Sequence, residues 1–305
     1  MTATRRLSAC MIGRPITIRS APAAIAAPGA MARAVNTVAH PLSIANFRAY
    51  FLSRLLGTIA ISAQGIIIGW QVYSLARETM DIKQSALLLG IIGLVQFVPL
   101  FLLTPVVGLI ADTYDRRWIV RWTTLLLTLN AAMLGYLTWT ESLSLPFLFV
   151  AAMFVGIARA FSGPAYSALA PNLVPRAVLP TAIAVSSMAW QVGTIAGPSV
   201  GGVLYAIDPN LAYGSIAGMF AAALLLIFLI SPVAQPPVQK DRRPIQRMVD
   251  GFRYVRDNRL VMATITLDLF VVLFAGATAL LPVFARDILK VGADGFGLLA
   301  AGMGI

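Results

Sequence analysis

Long apolar runs alternate with short polar joints along almost the whole chain. Seven runs are complete, at approximately 50–75, 85–110, 118–139, 146–170, 181–206, 211–231 and 260–283, and another begins near 295. Each complete run has the roughly 20 residues that an α-helix needs to cross about 30 Å of hydrocarbon. In lipid only a helix or a closed barrel satisfies every backbone N–H and C=O internally, and runs this long and uniformly apolar specify helices. The pattern predicts an all-α, polytopic membrane protein. It divides the chain into a flexible tail over 1–45, a six-helix bundle over 46–231, a polar linker over 232–259 and the opening of a second bundle over 260–305. The sequence stops inside the eighth span, so the second bundle reads as incomplete.

Composition agrees with that pattern. Hydrophobic residues make up 59% and charged residues 11% of the chain, against roughly 25% charged in soluble domains. The formal net charge of +11 would suit nucleic acid if it covered one face. Instead Lys and Arg gather in a few joints between apolar runs, where they act as topology signals, and a nucleic-acid partner is excluded. Arg5, Arg6, Arg14, Arg19, Arg33, Arg48 and Arg54 precede or enter the first span, Arg116, Arg117 and Arg121 follow the second, Arg176 follows the fourth, and seven more lie between Lys240 and Arg259. The opposite side receives only Arg77, Lys83, Arg286 and Lys290. This asymmetry predicts a cytoplasmic N-terminus. In the linker, Ile245, Met248, Val249, Phe252 and Val255 recur at helical spacing among Arg247, Arg253 and Arg256, a basic amphipathic helix suited to the inner membrane surface. Residues 1–40 hold no acidic residue. Three readings of them stand: a cytoplasmic tail starting at Met1, translation from Met31, or a segment that targets an organelle.

Three places break the apolar monotony. In the fifth span, Gly193, Gly197 and Gly201 recur every fourth residue around Pro198 and Gly202. Small residues at that spacing admit a second helix at close range, and a proline within the span weakens it further. Between the second and third spans, Gly108, Asp112, Asp115, Arg116 and Arg117 occupy a joint so short that the flanking helices must be antiparallel neighbours. Within the membrane itself, Arg159 and Asp268 are ionisable residues in apolar spans, which by default mark function. Counted from the span ends, Arg159 lies roughly 20 Å below the outer surface and Asp268 roughly 12 Å above the inner one. The two share a depth in the cytoplasmic half, where they either couple cargo to protons or form a structural pair. Gln64, Trp70 and Gln71 in the first span, and Trp190 and Gln191 in the fifth, are further candidates for contact with cargo. A short echo, Ala76-Arg77-Glu78 against Ala285-Arg286-Asp287, hints at two parallel six-helix repeats.

The spacing G-x-x-x-G-P-x-x-G-G over 193–202 resembles the fifth-helix motif of exporters in the major facilitator superfamily. Gly108, Asp112, Arg116 and Arg117 resemble its loop motif, with Asp115 in place of the usual glycine and Thr113 in place of a usual arginine. Arg159-Ala160-Phe161-Ser162-Gly163 resembles the core of its fourth-helix motif. Arg159–Pro164, Ser187–Gln191 and Leu281–Arg286 look most like the enterobactin-exporter-like branch, which exports siderophores and drugs. The resemblance implies a major facilitator fold in a bacterial inner membrane and a monomeric, proton-coupled exporter of a drug-like or siderophore-like molecule. It implies that Asp112 and Arg116 help latch the two halves, that Arg159 takes part in proton coupling, and that helices one, four and seven line the cavity.

One cysteine (Cys10) and one histidine (His40) leave no disulfide framework and no Cys/His metal cluster. Paired catalytic carboxylates, a phosphate-binding glycine loop and a nucleophile with its base are missing from the sequence. No enzyme activity, cofactor or metal is expected. Because the chain stops in its eighth span, a non-transporting remnant or accessory subunit stands as an alternative, as does an uptake carrier of the same fold.

Overall fold

The computed structural model describes residues 40–232, 253–274 and 280–302. The tail and most of the linker, including Ile245 to Phe252 of the expected amphipathic helix, lie outside the described residues. Six long helices come first: α1 (Ala45–Thr79), α2 (Ile82–Thr113), α3 (Arg116–Trp139), α4 (Leu145–Leu169), α5 (Leu179–Ile207) and α6 (Pro209–Phe228). Then follow α7 (Arg259–Phe274), a short helical segment Leu281–Val283 that runs into the π-turn Phe284–Ile288, and α8 (Ala293–Gly302). The described secondary structure is helical throughout.

The joints are set by local chemistry. Asp81 caps α2 by accepting from the Gln84 N–H at 2.8 Å, and Asp208 caps α6 by accepting from the Asn210 N–H at 2.6 Å. Each carboxylate satisfies one of the donors that a helix start leaves unpaired. Pro209 follows Asp208 as the first residue of α6, where its missing N–H costs nothing.

Five of the described helices are long and apolar enough to cross a membrane, over Ala45–Thr79, Ile82–Thr104, Leu145–Leu173, Arg176–Ile207 and Pro209–Phe228. The span expected at 118–139 corresponds to α3, whose 24 residues suffice in length. Its apolarity is diluted by Arg116, Arg117 and Arg121 in its first turns and by the buried Thr123, Thr124 and Asn130. The polar side chains Thr123, Thr124 and Asn130 lie on its buried face, while Trp118, Trp122 and Leu129 lie on its exposed one. The exterior shows the opposite balance: Leu94, Phe101, Leu102, Trp122 and Leu225 are each at least 58% exposed. Apolar side chains outside and Ser, Thr, Gln and Asn inside suit hydrocarbon as solvent.

Helix α1 packs most extensively on α5, α3 on α6, and α2 on α4. Exchanging the first three helices with the last three maps this pairing onto itself, the arrangement of an internal repeat. The α1–α5 seam rests on the glycines of the fifth span. A methyl group on Gly193 would sit 2.6 Å from Thr58 Cβ, one on Gly197 2.5 Å from Ser62 Cβ, and one on Gly201 2.8 Å from Ala63 Cα. The registers rise together, so the two helices run parallel. Gly202 turns the other way, where a methyl group would collide with the Ala293 carbonyl and approach Gly297 Cα at 2.9 Å, joining α5 to α8. Helix α5 continues unbroken through Pro198.

This geometry predicts opposite outcomes for two glycine substitutions. Gly197→Ala must force α1 and α5 apart and should cost about 1–3 kcal/mol, as overpacking does. Gly218→Ala on α6, where a methyl group meets nothing within 4 Å, should leave stability equal or raised through helix propensity. The melting temperatures of the detergent-solubilised proteins test the contrast.

Candidate functional site

The six-helix bundle encloses a cavity of about 510 Å³, with wall residues from every one of α1 to α6. Arg54, Thr58 and Ser62 of α1 face Arg159, Ser162 and Tyr166 of α4, with Trp190 and Thr194 from α5 and Phe220 from α6. This is the size range of small-molecule sites, and its mixture of a few polar groups with aromatic faces is typical of them. A groove of about 520 Å³ across α2, α3 and α4 is walled chiefly by apolar groups such as Trp118, Trp122 and Phe161. Its tryptophans are about half exposed or more, which places it on the outer face of the bundle.

The wall around Arg54 is held by a polar network. Arg54 Nη1 donates to the Tyr50 hydroxyl at 2.7 Å, and that hydroxyl donates to the Tyr166 carbonyl at 3.0 Å and lies 2.7 Å from Ser186 Oγ. The Tyr166 hydroxyl lies 3.1 Å from Ser53 Oγ, which donates to the Ala223 carbonyl at 2.9 Å. The Arg54 guanidinium also stands 5.9 Å from the centre of the Tyr166 ring. A hydrogen-bonded cation over an aromatic face is fixed in place before anything binds.

Arg159 lies in the wall of this cavity, exposed to it, with no hydrogen bond or ion pair among the described residues. Asp268 is exposed on α7 and is not among the lining residues, so the structure does not bring the two intramembrane charges together. Trp190 lines the cavity; Gln191 is exposed on α5. Gln64 and Gln71 lie elsewhere. Gln64 is fully buried and Gln71 is 5% exposed within the packed bundle. The Gln71 side-chain oxygen accepts from the Tyr213 hydroxyl. Trp70 stacks on Phe296 of α8, ring centres 5.7 Å apart. Sequence reading missed Arg54, counted only as a topology charge, and Tyr166. The signal for Arg54 was its place one turn inside an apolar span, deeper than a surface charge.

The joint between α2 and α3 is a second polar centre. Arg117 grips Asp115 through Nη2 at 2.6 Å and donates to the Ile230 carbonyl at 3.3 Å. Arg116 donates to the Ala168 carbonyl at 3.0 Å. The two arginines thus cap the closing ends of α6 and α4, where unpaired carbonyls concentrate negative charge. The side chain of Asp112 lies outside the described residues, and a methyl group on Gly108 would meet nothing within 4 Å. Burial alone would push Asp115 up. Hydrogen bonds from the Arg117 guanidinium and N–H, with the charges of Arg117 and Arg121, outweigh it and hold the carboxyl below its ordinary 3.8.

At the opposite end, the echoed tripeptides meet. Arg77 and Asp287 form an ion pair at 3.6 Å, the Tyr73 hydroxyl donates to the same carboxylate, and Ala76 and Ala285 are both fully buried.

A carboxyl depressed in the folded state contributes stability above its unfolded pKa and loses it as pH falls through the folded value. Asp115→Asn should therefore lower the melting temperature at pH 7, and the gap from wild type should close as pH drops below 3.8. A gap that persists undiminished at pH 2.5 would assign the effect to packing.

Comparison with known proteins gives three findings. The sequence model of a family described as transmembrane secretion effector matches residues 36–305. The enterobactin exporter EntS of Shigella dysenteriae serotype 1 (strain Sd197) is 27% identical over 249 residues, 79% of this chain and 56% of that protein. Its counterpart from Escherichia coli O157:H7 (strain EC4115 / EHEC) is 26% identical with the same coverage, so the chain spans about half the length of the curated relatives it matches. Among solved structures, a bacterial homolog of the human lysosomal transporter Spinster, inward-facing and unoccupied, superposes with a TM-score of 0.63 at 16% identity, covering 85% of this chain and 59% of that one.

Proposed function

Since the chain belongs to the transmembrane secretion effector family of major facilitator proteins, we propose that it is a secondary active transporter that exports a drug-like or siderophore-like small molecule by alternating access. It acts in a bacterial inner membrane with its N-terminus in the cytoplasm. The observation that carries this reading is the cavity of about 510 Å³ bounded by all six helices of the bundle, with the Arg159 cation in its wall. The names of the curated relatives, both enterobactin exporters, favour export over uptake.

Access alternates by rocking one six-helix half against the other. Tyr73, Arg77 and Asp287 hold the end of α1 to the segment after α7 while the cavity is open towards the cytoplasm. The α2–α3 joint, with Asp112, Arg116 and Arg117, engages in the opposite state. The Gly193, Gly197, Pro198, Gly201 and Gly202 motif keeps α5 rigid against α1. Protons drive the cycle through Asp268, with Arg159 taking part from the cavity wall. Such an assignment fits the default meaning of an intramembrane ionisable residue.

Everted membrane vesicles give the test. An imposed gradient, acid inside, should drive enterobactin into vesicles containing the protein, and an uncoupler should abolish the accumulation. Asp268→Asn, at unchanged protein level, should remove the dependence on the gradient. Accumulation indifferent to the gradient in the wild type would overturn proton coupling, and no accumulation at all would overturn export of this cargo.

A further inference from the structure

Two guanidiniums face one cavity, and no Asp or Glu stands among the described residues that line it. Arg54 is held by neutral groups, the Tyr50 hydroxyl and the Tyr166 ring, and neither cancels its charge. Arg159 has no ion-pair partner among the described residues. The acidic residues of the six-helix bundle whose side chains are described, Glu78, Asp81, Asp115, Glu141 and Asp208, all sit at helix ends or in joints, away from this wall. Two cations with no counter-charge among the described residues are costly within the span of a membrane, and the cost is relieved by a counter-ion. The remaining wall says what body that counter-ion has. Trp190, Tyr166 and Phe220 offer aromatic faces, while Thr58, Ser62 and Thr194 offer hydroxyls. A volume of about 510 Å³ is far larger than an inorganic anion requires.

We propose that the cargo is an aromatic organic anion, such as an aryl carboxylate or a phenolate, whose negative group lies between Arg54 and Arg159 while its ring packs on Trp190 and Tyr166. This rests on the reading of the cavity as the cargo site and adds to it the charge class. Arg54 is the prepositioned half of the clamp, because its network holds it before binding. Arg159 is the adaptable half, since it gives up no bond to meet the ligand. Charge-assisted bonds lost from either side weaken binding by about ten- to a hundredfold.

The test measures binding rather than flux, so it stands apart from the export assay. Fluorescence anisotropy of fluorescein, an aromatic anion, and of ethidium, an aromatic cation, is followed as the purified full chain in detergent is titrated in. Fluorescein should bind saturably, ethidium should bind at least tenfold more weakly, and Arg54→Gln and Arg159→Gln should each weaken fluorescein about ten- to a hundredfold. Arg54→Lys and Arg159→Lys, which keep the charge, should recover part of the affinity and guard against a folding defect. Preference for ethidium, saturable binding of neither dye, or fluorescein affinity unchanged in both Gln variants would overturn the proposal. Displacement of fluorescein by sulfate alone, or by phosphatidylglycerol at equal concentration, would overturn the aromatic assignment in favour of a simple anion or a lipid headgroup.

Discussion

Helix α5 lies against α1 at a distance set by backbone, and much of the bundle follows from that approach. Lipid tails are as apolar as leucine, so helices in a membrane gain little by merely hiding apolar side chains from solvent. What remains is dispersion between closely opposed surfaces, which is steep in distance. Gly193, Gly197 and Gly201 bring the α5 backbone onto Thr58, Ser62 and Ala63 and so recover contact that bulkier residues would forfeit. Because the seam fixes the register of α1, it also fixes Arg54, one turn from Thr58, on the cavity side. The glycine motif and the cavity are therefore two faces of one packing arrangement.

A polar interior follows from the same constraint. Groups that would be solvated on a soluble protein have only each other here, and unpaired buried polar groups are expensive. The chain answers with relays that cross between helices. Tyr50, Ser186 and Tyr166 join α1, α5 and α4; Ser53 reaches Ala223 on α6; Asn130 Nδ2 donates to the Ala151 carbonyl at 3.2 Å, joining α3 to α4. Even the arginines of the α2–α3 joint are used structurally, as caps on the ends of α4 and α6. A positive charge read in the sequence only as a topology signal is, in the structure, a helix cap.

How much of this was legible depended on the length scale of the signal. The helices announce themselves because about 20 consecutive apolar residues are an unambiguous pattern. The fifth-span glycines were legible as a close-packing face because their spacing equals one helical turn. Gln64 and Gln71 were not legible as core residues. Polarity in a span marks either a cavity or an interhelical bond, and sequence holds no information on which face points where. Arg159 was visible as an intramembrane charge, but its depth matched that of Asp268 without implying that they meet. Asp115 looked like a departure from a motif, whereas the structure shows it gripping Arg117 beside it.

The contact between α5 and α8 has a mechanical consequence of its own. Gly202 meets Gly297 and the Ala293 carbonyl, and Pro198 presents its carbonyl to Gly297, so backbone lies on backbone. Knobs set into holes behave like gear teeth, and to turn one helix is to climb over the next row. A surface without side chains has no teeth. At that spot the two backbones meet with no side chain between them, and the Trp70–Phe296 stack, the Tyr73 bond to Asp287 and the Arg77–Asp287 ion pair tie the neighbouring segment to α1.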